Sequence, residues 1–395
     1  MTLISAIKKE TEKQFETLVD MRRHLHMYPE LSFQEKETSN YVTNILDEHG
    51  IKYTAGYCKY GIVAEVKGRN KGKLIYLRGD MDALPIQEKN KVTYKSKREG
   101  IMHACGHDVH TTSLIGAAVI LHKLRDKLSG TIRFVFQPGE EKHPGGASIM
   151  IKEGAIKNAK KARILGQHVH PPLEVGKVGF HPGEYMASAD EIYIDIIGKG
   201  GHAALPTNFI DPIMISSEVI SALHKVVSRY SDPKIPTVLS FGKIWSDGGA
   251  TNVIPEKVHL QGTFRSMDEK NRVHLHKVIK DVVKHTCKAY GGKVKTNIRY
   301  GYPTLVNDVA MTNQAMQHAK EYMGDKNVVE LPKRMTAEDF SYYSQMMPAC
   351  FYRLGTGNKR KGITSPVHTP TFDIDESALA TGAGLLAYLG VMNAK

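Results

Sequence analysis

Three apolar runs of strand character, separated by helical stretches, each stop at residues that bind metal ions or carry protons, and this pattern leaves few folds open. Lys73-Leu74-Ile75-Tyr76-Leu77-Arg78 runs into Gly79-Asp80-Met81-Asp82-Ala83-Leu84-Pro85, Gly130–Gln137 into Pro138-Gly139-Glu140-Glu141, and Arg163-Ile164-Leu165-Gly166-Gln167 into His168-Val169-His170. Strand, helix, strand alternation demands right-handed crossovers and a mainly parallel sheet with helices on both faces, which lines the three ends along one edge. Open α/β sheets carry their chemistry at that carboxyl edge. Taken singly, the Asp pair reads as turn formers and the Glu pair as surface charge. Convergence of all three is harder to explain that way.

Between the first two runs lies Met102-His103-Ala104-Cys105-Gly106-His107-Asp108-Val109-His110-Thr111, with one thiol, three imidazoles and a carboxylate. Thiolate and neutral imidazole suit Zn(II) and its first-row neighbours. Residues two apart point to nearly opposite sides of a helix, so Cys105 and His107 can share an ion only from a loop or extended segment. The apolar run Leu114–Leu121 then begins a helix, with Thr111 or Thr112 placed to cap it. By itself the stretch reads more readily as a buried structural cysteine among satisfied histidines, and only the clusters elsewhere in the chain turn the balance.

A chain of 395 residues exceeds what one core usually serves, so two domains are expected. The amino-terminal apolar stretch is too short for a secretory signal and no run could span a bilayer, so a cytoplasmic location is expected. Cys58, Cys105, Cys287 and Cys350 are widely spaced, which fits a reducing compartment. The net charge of +13 is spread along the chain without a basic block or interleaved aromatics, so nucleic acid is not the expected partner. A positive field would instead favour small anionic substrates.

Residues 5 to 26 carry apolar positions at helical spacing up to the break at Tyr28-Pro29. Near Gly183 the composition changes. A strand over 189–197 precedes Gly198-Lys199-Gly200-Gly201-His202, then come a helix of some two dozen residues from Phe209, strands at 237–244 and 257–265, a helix at 268–289 and a strand at 293–300. The order β, α, β, β, α, β is a split βαβ unit, the ferredoxin-like α+β sandwich. The domains expected are 1–183, an insertion at 184–302, and a return to the first at 303–395. Ser365-Pro366-Val367-His368-Thr369-Pro370 adds a histidine stiffened by prolines.

Together these motifs resemble the aminoacylase and carboxypeptidase family of two-metal hydrolases, in its N-acyl-amino-acid amidohydrolase branch with the hippurate and indole-acetyl-amino-acid hydrolases. The markers are Gly79–Pro85, His103–Asp108, Gln137–Glu141, Gly198–His202, Thr251-Asn252-Val253-Ile254-Pro255, Gly262-Thr263-Phe264-Arg265 and His368, covering essentially the whole chain. The resemblance implies Cys105, His107, Glu141, His168 and His368 as ligands of two divalent ions, with Cys105 as a candidate bridge. It implies Glu140 as general base and Asp82 as the group orienting a ligand. His202 would stabilise the oxyanion from the neighbouring subunit of a homodimer, the insertion would be a lid and dimerisation domain, and Asn252 and Arg265 would bind substrate. Where the wider family has His-x-Asp this chain has Asp80-Met81-Asp82, so Zn(II), Mn(II), Co(II) and Ni(II) all stay open. The reaction implied is hydrolysis of the amide of an N-acyl amino acid or small peptide. Alternatives are an aminopeptidase or carboxypeptidase on longer peptides, and a non-catalytic metal- or peptide-binding protein on the same scaffold.

Overall fold

The structure, a computed structural model, describes residues 2–395, and the chain forms two compact units. The first runs up to Gly183 and resumes over Val306–Pro332 and Asp339–Lys395. Its eight-stranded sheet has the order Lys52–Tyr57, Gly61–Lys67, Ser129–Gln137, Asn70–Asp80, Ala162–Glu174, Ala349–Gly357, Val178–Phe180, Val328–Glu330. The strands Ser129–Gln137, Asn70–Asp80, Ala162–Glu174 and Ala349–Gly357 pair parallel, as the alternation predicts, and antiparallel pairs flank them. The strands ending at Asp80 and Gln137 are in register, with Asp80 opposite Gln137, so the acids after both emerge at the same level.

Two helices, His107–Lys123 and Ala378–Ala394, are buried on nearly every side. Ala378–Ala394 is apolar on nearly every side and His107–Lys123 is so from Leu114 to Leu121, which only a position between other layers permits. Leu18 and Ala383 close on Gly116, where a Cβ would come within 2.7 Å and 2.9 Å of them. The expected helix over 5–26 is two helices, Leu3–Lys13 and Phe15–Met27, because at Gln14 the chain makes a tighter turn in which its N–H donates to Thr11 O. The apolar spacing continues across this joint, so periodicity alone does not reveal it.

A larger departure concerns the cap. The helix after the cysteine begins at His107, not near Thr112, because Gly106 at φ 82 turns the chain into it. Thr111 lies inside that helix and its hydroxyl donates to Asp80 O at 2.8 Å.

The second unit comprises Glu184–Leu305 with Lys333–Glu338. Its antiparallel sheet has the order Thr237–Ser246, Lys257–Ser266, Asp190–Ile197, Lys293–Tyr300, the arrangement of a split βαβ sandwich. Helices Pro212–Tyr230 and Glu269–Ala289 bury Ile215, Val219, Leu223, Leu275, Ile279 and Val283 against Ile192, Ile194, Leu260 and Phe264. The first of these helices starts at Pro212, three residues after the expected Phe209, because Asp211 caps it through the Ile213 and Met214 amides. No helix among the described residues is long and apolar enough to cross a membrane.

Candidate metal centre

Five donor residues meet at the carboxyl edge of the large sheet. Gly106 places Cys105 in the loop and His107 as the first residue of its helix, so the two side chains turn to one region despite their spacing. His168 comes from the strand Ala162–Glu174, while Glu140 and Glu141 follow Gln137. His368 sits in the carboxyl-terminal loop at φ 64, its N–H donating to Ala104 O at 2.7 Å.

Cys105 Sγ lies 3.4 Å from His168 Nε2 and 3.2 Å from His368 Nε2, and His368 Nε2 is 3.1 Å from Glu141 Oε1. Donor atoms within 4.8 Å of one another form overlapping sets, among them Cys105 with His107 and His168, Cys105 with Glu141 and His368, His107 with Glu140 and Glu141, and Asp80 with His107 and His110. Glu140 is buried, and the Asp339 N–H points at its Oε1 from 3.4 Å.

The surroundings orient these donors. His168 Nδ1 is 2.8 Å from Val169 O, which fixes the proton there and leaves Nε2 to face Cys105. Burial and then Arg353 hold the His168 pKa well below the ordinary value, so the ring is neutral. His107 Nδ1 is 3.2 Å from Asp82 Oδ1, and the other oxygen of Asp82 accepts the Glu141 N–H at 2.9 Å and the Ser32 hydroxyl at 2.6 Å. Asp82 thereby orients both an imidazole and the backbone of a carboxylate.

Whether the residues fit a metal is tested by what is left over. His107 Nε2 is buried without a hydrogen bond, 4.0 Å from Glu141 Oε1. Burial works against charge on this ring, yet Asp80, Asp82 and Glu141 push its pKa up to about 10. Burial and then Glu141 push the Cys105 thiol well above its usual range, so only a cation would draw out the thiolate. A largely buried cluster of sulfur, imidazole and carboxylate that favours positive charge fits divalent first-row ions.

The other expected residues lie in the second unit. His202, exposed, pairs with Val253 across a short antiparallel ladder, and the Ala203 N–H donates to Asn252 O at 3.0 Å, so His202 and Asn252 are neighbours. Half-buried Arg265 is on the strand Lys257–Ser266, opposite Val238, and makes no ion pair among the described residues. Burial pulls its pKa down.

Two buried networks were not visible in the sequence. Arg78 bonds Asp80 and, at 2.7 Å, Asp339, while Gln137 Nε2 donates to both oxygens of Asp339 and His110 bonds Asp80. Arg22 donates to Asp108 at 2.9 Å and to Asp373 at 2.9 Å, tying the second helix to both ligand-bearing segments. Only Arg78, a charge at the end of an apolar strand, gives any signal, and it names no partner because the partners are remote in sequence.

The chain is similar to known proteins over most of its length. The sequence profile of peptidase family M20/M25/M40 matches residues 76–390. An N-acyl-L-amino acid amidohydrolase of Geobacillus stearothermophilus is 42% identical over 301 residues, 76% of this chain and 80% of that protein. Thermostable carboxypeptidase 1 of Saccharolobus solfataricus is 36% identical over 394 residues, 99% of each. The crystal structure of the Bacillus subtilis YXEP protein, described as a dinuclear metal-binding peptidase, superposes with a TM-score of 0.84 at 34% identity, covering 96% of this chain and 98% of that one.

Proposed function

The chain belongs to peptidase family M20/M25/M40, and on that premise we propose that it is a metal-dependent amidohydrolase releasing a free amino acid from an N-acyl amino acid or small peptide. The observation that carries the reading is a buried base, Glu140, sharing its donor set with His107 and Glu141, which in turn meet Cys105, His168 and His368. Mere ion storage would need no further carboxylate there. Two divalent ions, Zn(II) or Mn(II) with Co(II) and Ni(II) also open, would be held by those five residues and would supply Lewis acidity, lowering the pKa of water to about 7 and polarising the amide carbonyl.

Glu140 takes a proton from the attacking water as its oxygen adds to the carbonyl carbon, then delivers that proton to the amide nitrogen as the carbon–nitrogen bond breaks. The products are a carboxylic acid and a free amine. Asp82 keeps His107 and the Glu141 backbone in place throughout. Arg265, a guanidinium with no carboxylate of its own, receives the substrate carboxylate, with Asn252 beside it in the same role. His202 donates to the tetrahedral oxyanion across a homodimer formed through the inserted lid at 184–302. All four cysteines are free, which supports a cytoplasmic enzyme.

Hydrolysis of longer peptides is the second reading, favoured by the near full-length similarity to a carboxypeptidase. A panel of N-acetyl and N-benzoyl amino acids, dipeptides and longer peptides, offered to one metal-analysed sample, separates the two. Preference for the acyl amino acids supports the proposal; preference for peptides replaces it, and metal binding without turnover on any of them leaves a binding protein.

A further inference from the structure

The segment Glu30-Leu31-Ser32-Phe33-Gln34-Glu35 contributes no residue to the mechanism above, yet it meets the catalytic segments at several points. Ser32 Oγ donates to Asp82 Oδ2, the oxygen that also accepts the Glu141 N–H. The Gly139 N–H donates to Glu35 Oε1 at 2.7 Å. The main chain joins in, with the Ala83 N–H donating to Glu30 O at 2.8 Å.

Phe33 closes on the same glycine. A Cβ at Gly139 would lie 2.3 Å from Phe33 Cε1, and Gly139 itself has φ +65. Phe33 also occupies the left-handed region, at φ 66. For a bulky residue that conformation is strained and persists only where the surroundings over-determine it.

Glu35 is the second oddity. Its side chain is fully buried and its Oε2 has no hydrogen bond. Burial and then Asp82 push its carboxyl up to about 8. A loop that only linked two helices would be better served by an apolar side chain here, because a buried polar atom left unpaired is unfavourable. The acid is explained if the N–H it accepts has to stay where it is.

We propose that Ser32, Phe33 and Glu35 are positioning residues that fix the Gly139-Glu140-Glu141 backbone and Asp82, and with them the base and a ligand carboxylate. The inference rests on the roles proposed for Glu140 and Glu141, and it assigns the work to a segment before the first strand of the sheet. Glu35 and Phe33 act on the base through Gly139; Ser32 acts on His107 and Glu141 through Asp82.

Three variants test it: Glu35→Leu removes the acceptor at similar volume, Glu35→Gln keeps it, and Ser32→Ala removes the hydroxyl. Loss of such outer partners typically costs about 10–100-fold in activity or metal affinity. At saturating metal, Glu35→Leu should lower kcat about 10-fold or more with KM nearly unchanged, and Glu35→Gln should recover most of it. Ser32→Ala should weaken Co(II) binding, read by chelator competition, about 10-fold, and shift the cobalt absorption spectrum. A folded Glu35→Leu with wild-type kcat, or a Glu35→Gln as impaired as Glu35→Leu, overturns the part played by Glu35. Unchanged cobalt affinity and spectrum in Ser32→Ala overturn the part played by Ser32, and that variant decides if Glu35→Leu does not fold. Should the wild type hydrolyse no substrate, the functional reading fails, while cobalt binding still tests the brace.

Discussion

Replacing Arg22 by methionine removes a guanidinium that has no exposed surface and leaves its volume roughly filled. Its Nε lies 2.9 Å from Asp108 Oδ2, and Nη2 lies 2.9 Å from Asp373 Oδ1. Asp108 is fully buried, so removing its guanidinium breaks a buried ion pair, a change that costs about 3–5 kcal/mol. The Asp373 side chain keeps 17% exposure, so water softens its loss to about 1 kcal/mol or less. His26 Nδ1, 2.7 Å from Asp108 Oδ2, remains as a partner and offsets part of the cost, leaving about 3–4 kcal/mol in all.

Urea melts followed by far-UV circular dichroism are the assay, because the single tryptophan, Trp245, lies in the second unit and would report on the wrong half of the chain. Two compact units need not unfold together, so the decisive comparison is Arg22→Met against Arg22→Met/Asp108→Asn. Neutralising Asp108 should recover at least half of the loss. Burial opposes ionisation of Asp108, but Arg22 and then His26 hold its carboxyl well below the usual range. That depressed pKa contributes stability present above the unfolded value and lost as pH falls through the folded one. Without Arg22 the carboxyl protonates more easily, so the deficit should shrink at about pH 4.5 relative to pH 7.5. A double variant as unstable as the sum of the two singles, or a deficit that grows in acid, refutes the charge argument.

Three further outcomes are expected. Glu140→Gln should lose about 10²- to 10⁴-fold in kcat while binding metal and substrate normally, as steady-state kinetics and metal analysis would read. Arg265→Ala should raise KM about 10-fold or more for substrates with a free carboxylate and hardly change it for their amides, since a charge-assisted hydrogen bond is worth about 1.5–3 kcal/mol; equal losses on both would discredit the clamp. Mixing inactive Glu140→Ala with inactive His202→Ala and allowing subunits to exchange should restore up to about a quarter of wild-type activity if His202 serves the neighbouring subunit, by simple pairing statistics for a two-fold dimer. No recovery would place its action within one chain.

The convergence of three strand ends on metal-binding residue types was legible in the sequence, because apolar, β-branched runs mark those strands out. Which of Glu140 and Glu141, or of His168 and His170, would be a ligand was not, and that choice, like His368, came from the family resemblance. Local backbone turns were less legible: Gly106 moves a helix start to His107, whereas the apolar run alone suggested a start near Thr112. The brace and the buried ion pairs were illegible for a different reason. Arg22 finds Asp108 86 positions away and Asp373 351 positions away, and Ser32 finds Asp82 50 positions away. Periodicity sees neighbours along one element, not partners that only folding brings together. Nothing local announces that Phe33 adopts a left-handed backbone either, since such a conformation is imposed by packing against Gly139.

The order in which the two units are threaded has a consequence for synthesis. Most of the inserted unit has left the ribosome once Leu305 is made, whereas the large sheet still lacks Ala349–Gly357, which belongs between Ala162–Glu174 and Val178–Phe180. The helix Ala378–Ala394, translated later still, is also one of its most deeply buried elements. At roughly 5–20 residues per second the nascent chain therefore holds an open sheet edge and uncovered apolar surface for roughly 5–20 s after the insertion is complete. Loss of even the final helix would leave that surface bare for good.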